Sequence, residues 1–134
     1  MCQATGTKYW LVGAAFAGGK NPLDELFVSN GIWILGWEEG PQRKKAKQIK
    51  PGDRIAIKRL LGKGQKGIRI MHIGVVKGVI HDVDVNKFIC SVNWVATNLN
   101  REITQAKGAF RSIHGPYYKS NPSSKQWIEE IFCL

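Results

Sequence analysis

The sequence predicts an α+β domain in which a curved, mostly antiparallel sheet or small open barrel is flanked by helices. Segments with β patterning outnumber helical ones, and glycines interrupt the longest of them. No regular alternation of strands with helices occurs, which argues against a doubly wound parallel sheet. At 134 residues and without an internal repeat, the chain is expected to form a single domain over residues 1–134.

The first half of the chain contains one helical segment between segments with β patterning. Residues 8–15 predict a mostly buried strand that leads into a glycine-rich stretch. Asn21 and Pro22 suit the cap and the first position of a helix. Residues 32–37 predict a short aromatic strand or extended segment, and residues 38–50, which are polar and basic, predict a loop or short solvated helix.

The second half is dominated by β patterning after a Pro-Gly-Asp turn. Apolar and basic side chains alternate over residues 54–59, which is typical of a half-buried strand. A long β pattern covers residues 68–80, with Gly74 and Gly78 as the expected sites of bulges. Residues 88–96 predict another strand, and the C-terminal residues predict a closing helix.

Positive charge is concentrated in the middle of the chain. The formal net charge is +10, and twelve Lys or Arg lie between Arg43 and Lys77 against one acid, Asp53. Such an excess favours a polyanionic partner, most commonly a nucleic acid. The alternative is a solvated basic surface that serves solubility.

Cysteine spacing and hydropathy limit the class of protein. Cys2, Cys90 and Cys133 lack metal-ligand spacing, so we expect no disulfide framework, and Cys90 is expected to be a small buried hydrophobe. No signal peptide and no apolar run of about 18 residues is present, which favours a cytoplasmic protein without a membrane partner. No complete catalytic or metal-binding motif is present, so we expect no cofactor and no catalysis.

Segments at residues 9–12, 31–33, 49–53, 73–76, 92–95 and 126–128 follow one another in the order and spacing of a known domain family. They include an opening Tyr-Trp-Leu-Val strand, a Lys-Pro-Gly-Asp turn and a tryptophan in the final helix. In these features nearly the whole chain resembles the EVE domain of the PUA-like superfamily, which also contains YTH, ASCH and SRA domains. The resemblance implies a PUA-like fold that binds nucleic acid without catalysis.

The segment after the first strand departs from the usual pattern of that family. Typical members have a polar loop there, whereas residues 13–18 of this chain are glycine, alanine and Phe16. In this respect the chain is similar to EVE-like modules that accompany modification-dependent restriction enzymes. That similarity implies recognition of modified cytosine in DNA, with a nuclease or another restriction-system component as a functional partner.

A module that binds one modified base must take the base out of the stack, which costs a few kcal/mol. Stacking on aromatic rings returns about 1–3 kcal/mol per base, and cations at the rim hold the flanking phosphates. The residues expected to form the base pocket are Gly13, Ala14, Phe16, Trp33, Trp37, Trp94, His114 and Tyr117. The cations expected to bind phosphate are Arg43, Lys44, Lys45, Lys47, Arg59, Lys63 and Lys66.

Other interpretations of the same residues stay open. Trp10 and Trp127 are expected in the core, while at least one of Trp33 and Trp37 is expected in the pocket. The module could bind RNA, because contacts to the 2′-OH leave no sequence motif. It could be a small hydrolase of the ASCH type that acts on a modified nucleoside, for which the resemblance points to Lys58. Its basic surface could also bind an acidic protein.

Overall fold

The computed structural model describes residues 7–16, 21–35, 41–60, 67–82, 87–103 and 113–132. Strands predominate over helices in this part of the chain. The elements follow the order β1 (Lys8–Gly13), β2 (Ala15–Phe16), β3 (Asn21–Pro22), α1 (Asp24–Asn30), β4 (Ile32–Ile34), α2 (Pro41–Ala46), β5 (Arg54–Leu60), β6 (Ile68–Asp82), β7 (Lys87–Ala96), β8 (Arg101–Ile103), β9 (Ile113–Tyr118) and α3 (Pro122–Phe132).

The main sheet has seven strands in the order β4-β7-β6-β5-β1-β9, and β8 also pairs with β6. β1 and β5 are parallel, and the other ladders of this sheet are antiparallel. The sheet is open rather than closed into a barrel. The prediction of an α+β fold with a mostly antiparallel sheet is therefore confirmed.

The long strand β6 changes register at the two glycines that the sequence marked as bulge sites. Its pairing with β7 shifts between Ile73 and Gly74, and again between Val76 and Gly78. Bulges of this kind bend a strand and increase its twist. They let one strand of fifteen residues pair with β5 in its first half and with β7 in its second half.

The two faces of the sheet carry separate hydrophobic clusters, because side chains alternate along each strand. Trp10 and Val12 of β1 belong to the cluster on one face, here called the first face, together with Phe27 of α1 and Ala46 of α2. The cluster on the second face includes residues of β1 and of α3, with Trp127 among them. Trp10 and Trp127 are both buried, so their prediction as core residues is confirmed, as is that of Cys90.

Helix α1 begins later than the sequence predicts. Asn21 and Pro22 pair with β2 as strand β3, and the helix starts at Asp24. The residue before it, Leu23, makes no side-chain cap; its backbone N–H instead donates to Ala14 O at 2.7 Å. Pairing with the preceding chain has thus overridden the local preference of Asn-Pro for a helix start.

The turn before β5 is held by the side chain of Asp53. Asp53 Oδ2 accepts the Lys50 backbone N–H at 2.9 Å and the Trp10 Nε1–H at 3.0 Å. The second bond fixes the turn to the core of the first face. Among the described residues, no helix has the length and apolar character needed to cross a membrane.

Candidate functional site

A buried ion pair joins α1 to the sheet on the first face. The Asp24 side chain is 3% exposed, and its Oδ1 accepts a hydrogen bond from Arg59 Nη2 of β5 at 2.6 Å. Its Oδ2 lies 3.0 Å from His72 Nε2 of β6. A buried carboxylate requires such partners, because an unpaired charge in the interior costs several kcal/mol.

The protonation of His72 follows from its second contact. The Asn98 backbone N–H, in the loop after β7, donates to His72 Nδ1 at 3.1 Å. Because Nδ1 accepts, the ring proton must lie on Nε2, which then donates to Asp24 Oδ2. The contacts from Asn98 through His72 and Asp24 to Arg59 form one continuous series of hydrogen bonds, here called the Arg59 relay.

The relay keeps Asp24 ionised. Burial raises the pKa of this carboxyl group, but the hydrogen bonds from Arg59 and His72 and the charge of Arg59 lower it by more, so that the pKa lies below its ordinary value of 3.8. The ionised carboxylate holds the guanidinium of Arg59, whose side chain is 44% exposed. An exposed cation is thus held in a defined position by buried groups.

Trp94 of β7 lies beside this relay on the same face. Its ring packs at an angle of 67° to His72, with 6.3 Å between the ring centroids. The residue is partly exposed, whereas its Nε1 atom is shielded from solvent and has no hydrogen-bond partner among the described residues. A shielded donor without an acceptor costs about 1–3 kcal/mol.

Gly74 of β6 makes room for the indole ring. It pairs with Trp94, and a Cβ atom at this position would lie 2.9 Å from Trp94 Cε3 and 2.5 Å from Val92 Cγ1. Any larger residue would have to displace the ring or the neighbouring strand. The bulge site that the sequence identified therefore also positions the candidate aromatic surface.

Trp33 requires a correction, because it belongs to the core. Its side chain is 0% exposed, within the cluster of the first face, and its Nε1 donates to Gly13 O at 2.8 Å. In this position the ring has no surface for a ligand, and the Gly13 carbonyl is already occupied. Ala14, also predicted for the pocket, is buried next to them. Trp37 and the side chain of Phe16 lie outside the described part of the structure.

His114 and Tyr117 lie on β9 and are not brought together with Trp94. Tyr117 packs against the cluster of the second face, with its ring 5.1 Å from that of Trp127. His114 pairs with Leu11, which belongs to the same cluster. The sheet therefore separates Tyr117 from the first face, and it cannot form one pocket wall with Trp94.

The cations predicted to bind phosphate occupy two places. Arg43, Lys44 and Lys45 are in α2 and Lys47 directly follows it; Lys44 and Lys47 are exposed and the other two are half-buried. The helix contains no acidic residue in its first turn. Arg59 belongs to the relay, and Lys63 and Lys66 lie outside the described residues.

Two members of the candidate site, Asp24 and His72, were not predicted as functional. The one signal available was a histidine within the apolar pattern of residues 68–80, since a buried polar side chain requires a partner. Nothing in the sequence identified Asp24 as that partner, 48 positions away.

Lys58 of β5 is a second unusual titratable group. It is 5% exposed, and burial lowers its pKa to about 8. Because consecutive side chains of a strand point to opposite faces, Lys58 faces away from Arg59 and the relay. In the part of the chain that the structure describes, no group of three His, Cys, Asp or Glu residues is placed to hold a metal ion.

Comparison with known proteins adds no family assignment. No model of a known protein family matches the chain, and no curated protein matches it.

Proposed function

We propose that this protein is a non-catalytic nucleic-acid-binding module of the PUA-like EVE type, which accepts a flipped, modified base. Modified cytosine in DNA is the ligand class we favour. The observation that carries the proposal is Trp94, a partly exposed indole on the first face. Its ring packs against His72, which is linked through Asp24 to the exposed guanidinium of Arg59.

The energetics of base binding fit such a residue. Flipping a base costs a few kcal/mol, and stacking on one aromatic ring returns about 1–3 kcal/mol. Stacking on the exposed part of the Trp94 ring can therefore offset much of the cost of flipping.

The charges near the site favour a phosphate backbone. Arg59 uses one of its five N–H donors on Asp24, which leaves others for a phosphate oxygen. Lys44 of α2 and Lys47, which directly follows it, are exposed; α2 packs on the same face of the sheet but over β9, on the far side from β7. With a net charge of +10, long-range attraction to a polyanion is expected.

The resemblance to EVE-like modules of modification-dependent restriction systems supports DNA over RNA and suggests that a nuclease acts beside this module. An acidic protein partner would be recognised by charge alone. Such a partner would leave Trp94 without a role, so the test is directed at that residue.

The test compares the Trp94→Ala and Trp94→Phe variants in binding to matched DNA and RNA oligonucleotides, with and without cytosine methylation. Trp94→Ala should weaken binding of the methylated DNA by about tenfold and remove the preference for it, because stacking is lost. Trp94→Phe keeps an aromatic face and should show the smaller loss. Tyr118→Ala, which removes an exposed aromatic ring on β9, is the matched control. An unchanged preference in Trp94→Ala would contradict the proposal.

A second candidate function depends on Lys58. A lysine with a pKa of about 8 is about one-tenth neutral at pH 7, far more than an ordinary lysine, and this neutral form can act as a base. The buried lysine therefore favours an alternative function, a small hydrolase of the ASCH type that acts on a modified nucleoside. The test is the release of the acyl group from an acylated cytidine. Loss of this activity in Lys58→Met, together with its retention in Lys125→Met, would support the enzyme over the binding module.

A further inference from the structure

Four cations surround the turn that precedes β5, at the opposite end of that strand from the relay. Lys8 Nζ lies 3.4 Å from Asp53 Oδ2, and Arg54 Nη1 donates to Gly52 O. Lys50 begins the turn, and Lys77 follows Val76, whose O accepts the Gly52 N–H at 2.8 Å. Arg54 pairs with Tyr9 and points to the second face, because side chains alternate along β5. We call the other three cations the turn cluster: Lys8, Lys50 and Lys77.

The positive charge of the turn cluster is only partly balanced. Asp53 is 5% exposed, and its Oδ2 already receives Trp10 Nε1, Lys50 N and Lys8 Nζ. Lys50 and Lys77 are exposed, and among the described residues neither forms an ion pair. The space above Gly52 is also open, since a Cβ atom there would meet nothing within 4 Å. The surface is therefore accessible and carries a net positive charge.

Helix α2 connects the two ends of the first face. Its second residue, Gln42, accepts the Ile113 backbone N–H at 2.9 Å, and Ile113 pairs with Val12 near the end of β1. The chain then continues through exposed Lys44 and Lys47 to Lys50 of the turn cluster. The exposed lysines of α2 and of the turn therefore lie on the same face of the sheet as the candidate site.

The pairing of the strands sets the distance between the turn and Trp94. Trp94 pairs with Gly74, and Gly74 pairs with Ile55, so Trp94 lies two strands, or about 10 Å, from the start of β5. Successive phosphates of one stacked strand are ~3.4 Å apart along the axis, so this separation spans about three nucleotides. We infer that the turn cluster is a second phosphate-binding surface for the nucleic-acid strand whose flipped base lies at Trp94. This inference rests on the proposed function.

The experiment measures the salt dependence of binding for two single-stranded DNA probes with a central 5-methylcytosine. One probe has about three nucleotides and covers only the Trp94 site; the other has about eleven and reaches the turn cluster. Lys50→Gln/Lys77→Gln should reduce the slope of log K against log salt by about 1.4 for the long probe, at ~0.7 per lost phosphate contact. The same variant should bind the short probe with the same affinity and the same salt slope as the wild-type protein.

Lys125→Gln, on the exposed side of α3, is the charge control and should leave both probes unaffected. An unchanged slope for the long probe in Lys50→Gln/Lys77→Gln overturns the inference, even if methylated DNA is still preferred. If that variant shows the reduced slope although neither probe depends on methylation, the second phosphate surface is supported while the base-binding proposal fails. The two failures are thereby distinguished.

Discussion

Lys58 is the residue whose burial most clearly opposes stability. Its ammonium group is taken out of water on β5, and in the part of the chain described here no carboxylate lies within ion-pair distance of it. Burial lowers its pKa from 10.5 to about 8, so the folded protein holds this proton less tightly than the unfolded chain does. Between those two values the unfolded state binds more protons, and stability therefore rises with pH.

We expect Lys58→Met to raise the free energy of unfolding at pH 7. The shift of the Lys58 pKa corresponds to roughly 3 kcal/mol, an upper limit because the methionine must also fit the site. Urea unfolding across about pH 7 to 10.5 should show that the advantage of the variant declines as pH rises through about 8. Lys125→Met is the exposed control. If the free energy of unfolding of Lys58→Met differs from that of the wild-type protein by the same amount at every pH, this account is contradicted.

Burial of individual aromatic residues was only partly predictable from the sequence. Trp10 and Trp127 lie within long apolar patterns, and both were correctly assigned to the core. Trp33 lies in a short segment with apolar residues before and after it. The sequence pattern there therefore did not show whether the Trp33 side chain points into the core or toward solvent. Its burial depends on the bond to Gly13 O, twenty residues away, which no local pattern indicates.

At the scale of elements, the candidate site exists because four of them meet. α1 contributes Asp24, β5 contributes Arg59, β6 contributes His72 and β7 contributes Trp94. Strand and helix patterns predicted α1, β5, β6 and β7, as well as the bulges at the β6 glycines. The neighbours of each element in space were not predictable, because the order of strands in the sheet departs from their order in the chain. The relay therefore could not be predicted, although its elements were.

Helix α2 allows a prediction that separates phosphate binding from base recognition. The variant Lys44→Gln/Lys45→Gln/Lys47→Gln removes three cations while leaving the buried residues of the helix, Gln42 and Ala46, in place. We expect weaker binding to methylated and unmethylated DNA alike, with the slope of log K against log salt reduced by about 2. The ratio of the two affinities should not change, because Trp94 is untouched.

The salt titration should be run in parallel on Lys125→Gln, whose loss of one exposed charge on α3 should not alter the slope. If the triple variant changes the affinity ratio but not the slope, α2 contacts the base rather than the backbone.

The whole molecule consists of two hydrophobic clusters that share the same strands. Along β1, Trp10 and Val12 face one cluster while Tyr9 and Leu11 face the other. Alternation also divides β5, where Ile55 and Ala56 belong to different clusters. Neither cluster can lose its packing without exposing strands that support the other. The prediction of a single domain is consistent with this arrangement.

Unfolding should therefore be a single cooperative transition that damage to either cluster shifts as a whole. Ile131→Ala in α3 and Phe27→Ala in α1 each remove a buried side chain and should lower the free energy of unfolding by about 2–5 kcal/mol. Far-UV circular dichroism and tryptophan fluorescence should report the same midpoint in both variants, because both clusters contain indoles, Trp10 and Trp33 in the first and Trp127 in the second. Leu26→Ala, at an exposed position of α1, should shift the midpoint little. If the two methods give different midpoints for Ile131→Ala, then α3 and the cluster of the second face unfold independently of the first face. That result would contradict a single cooperative transition.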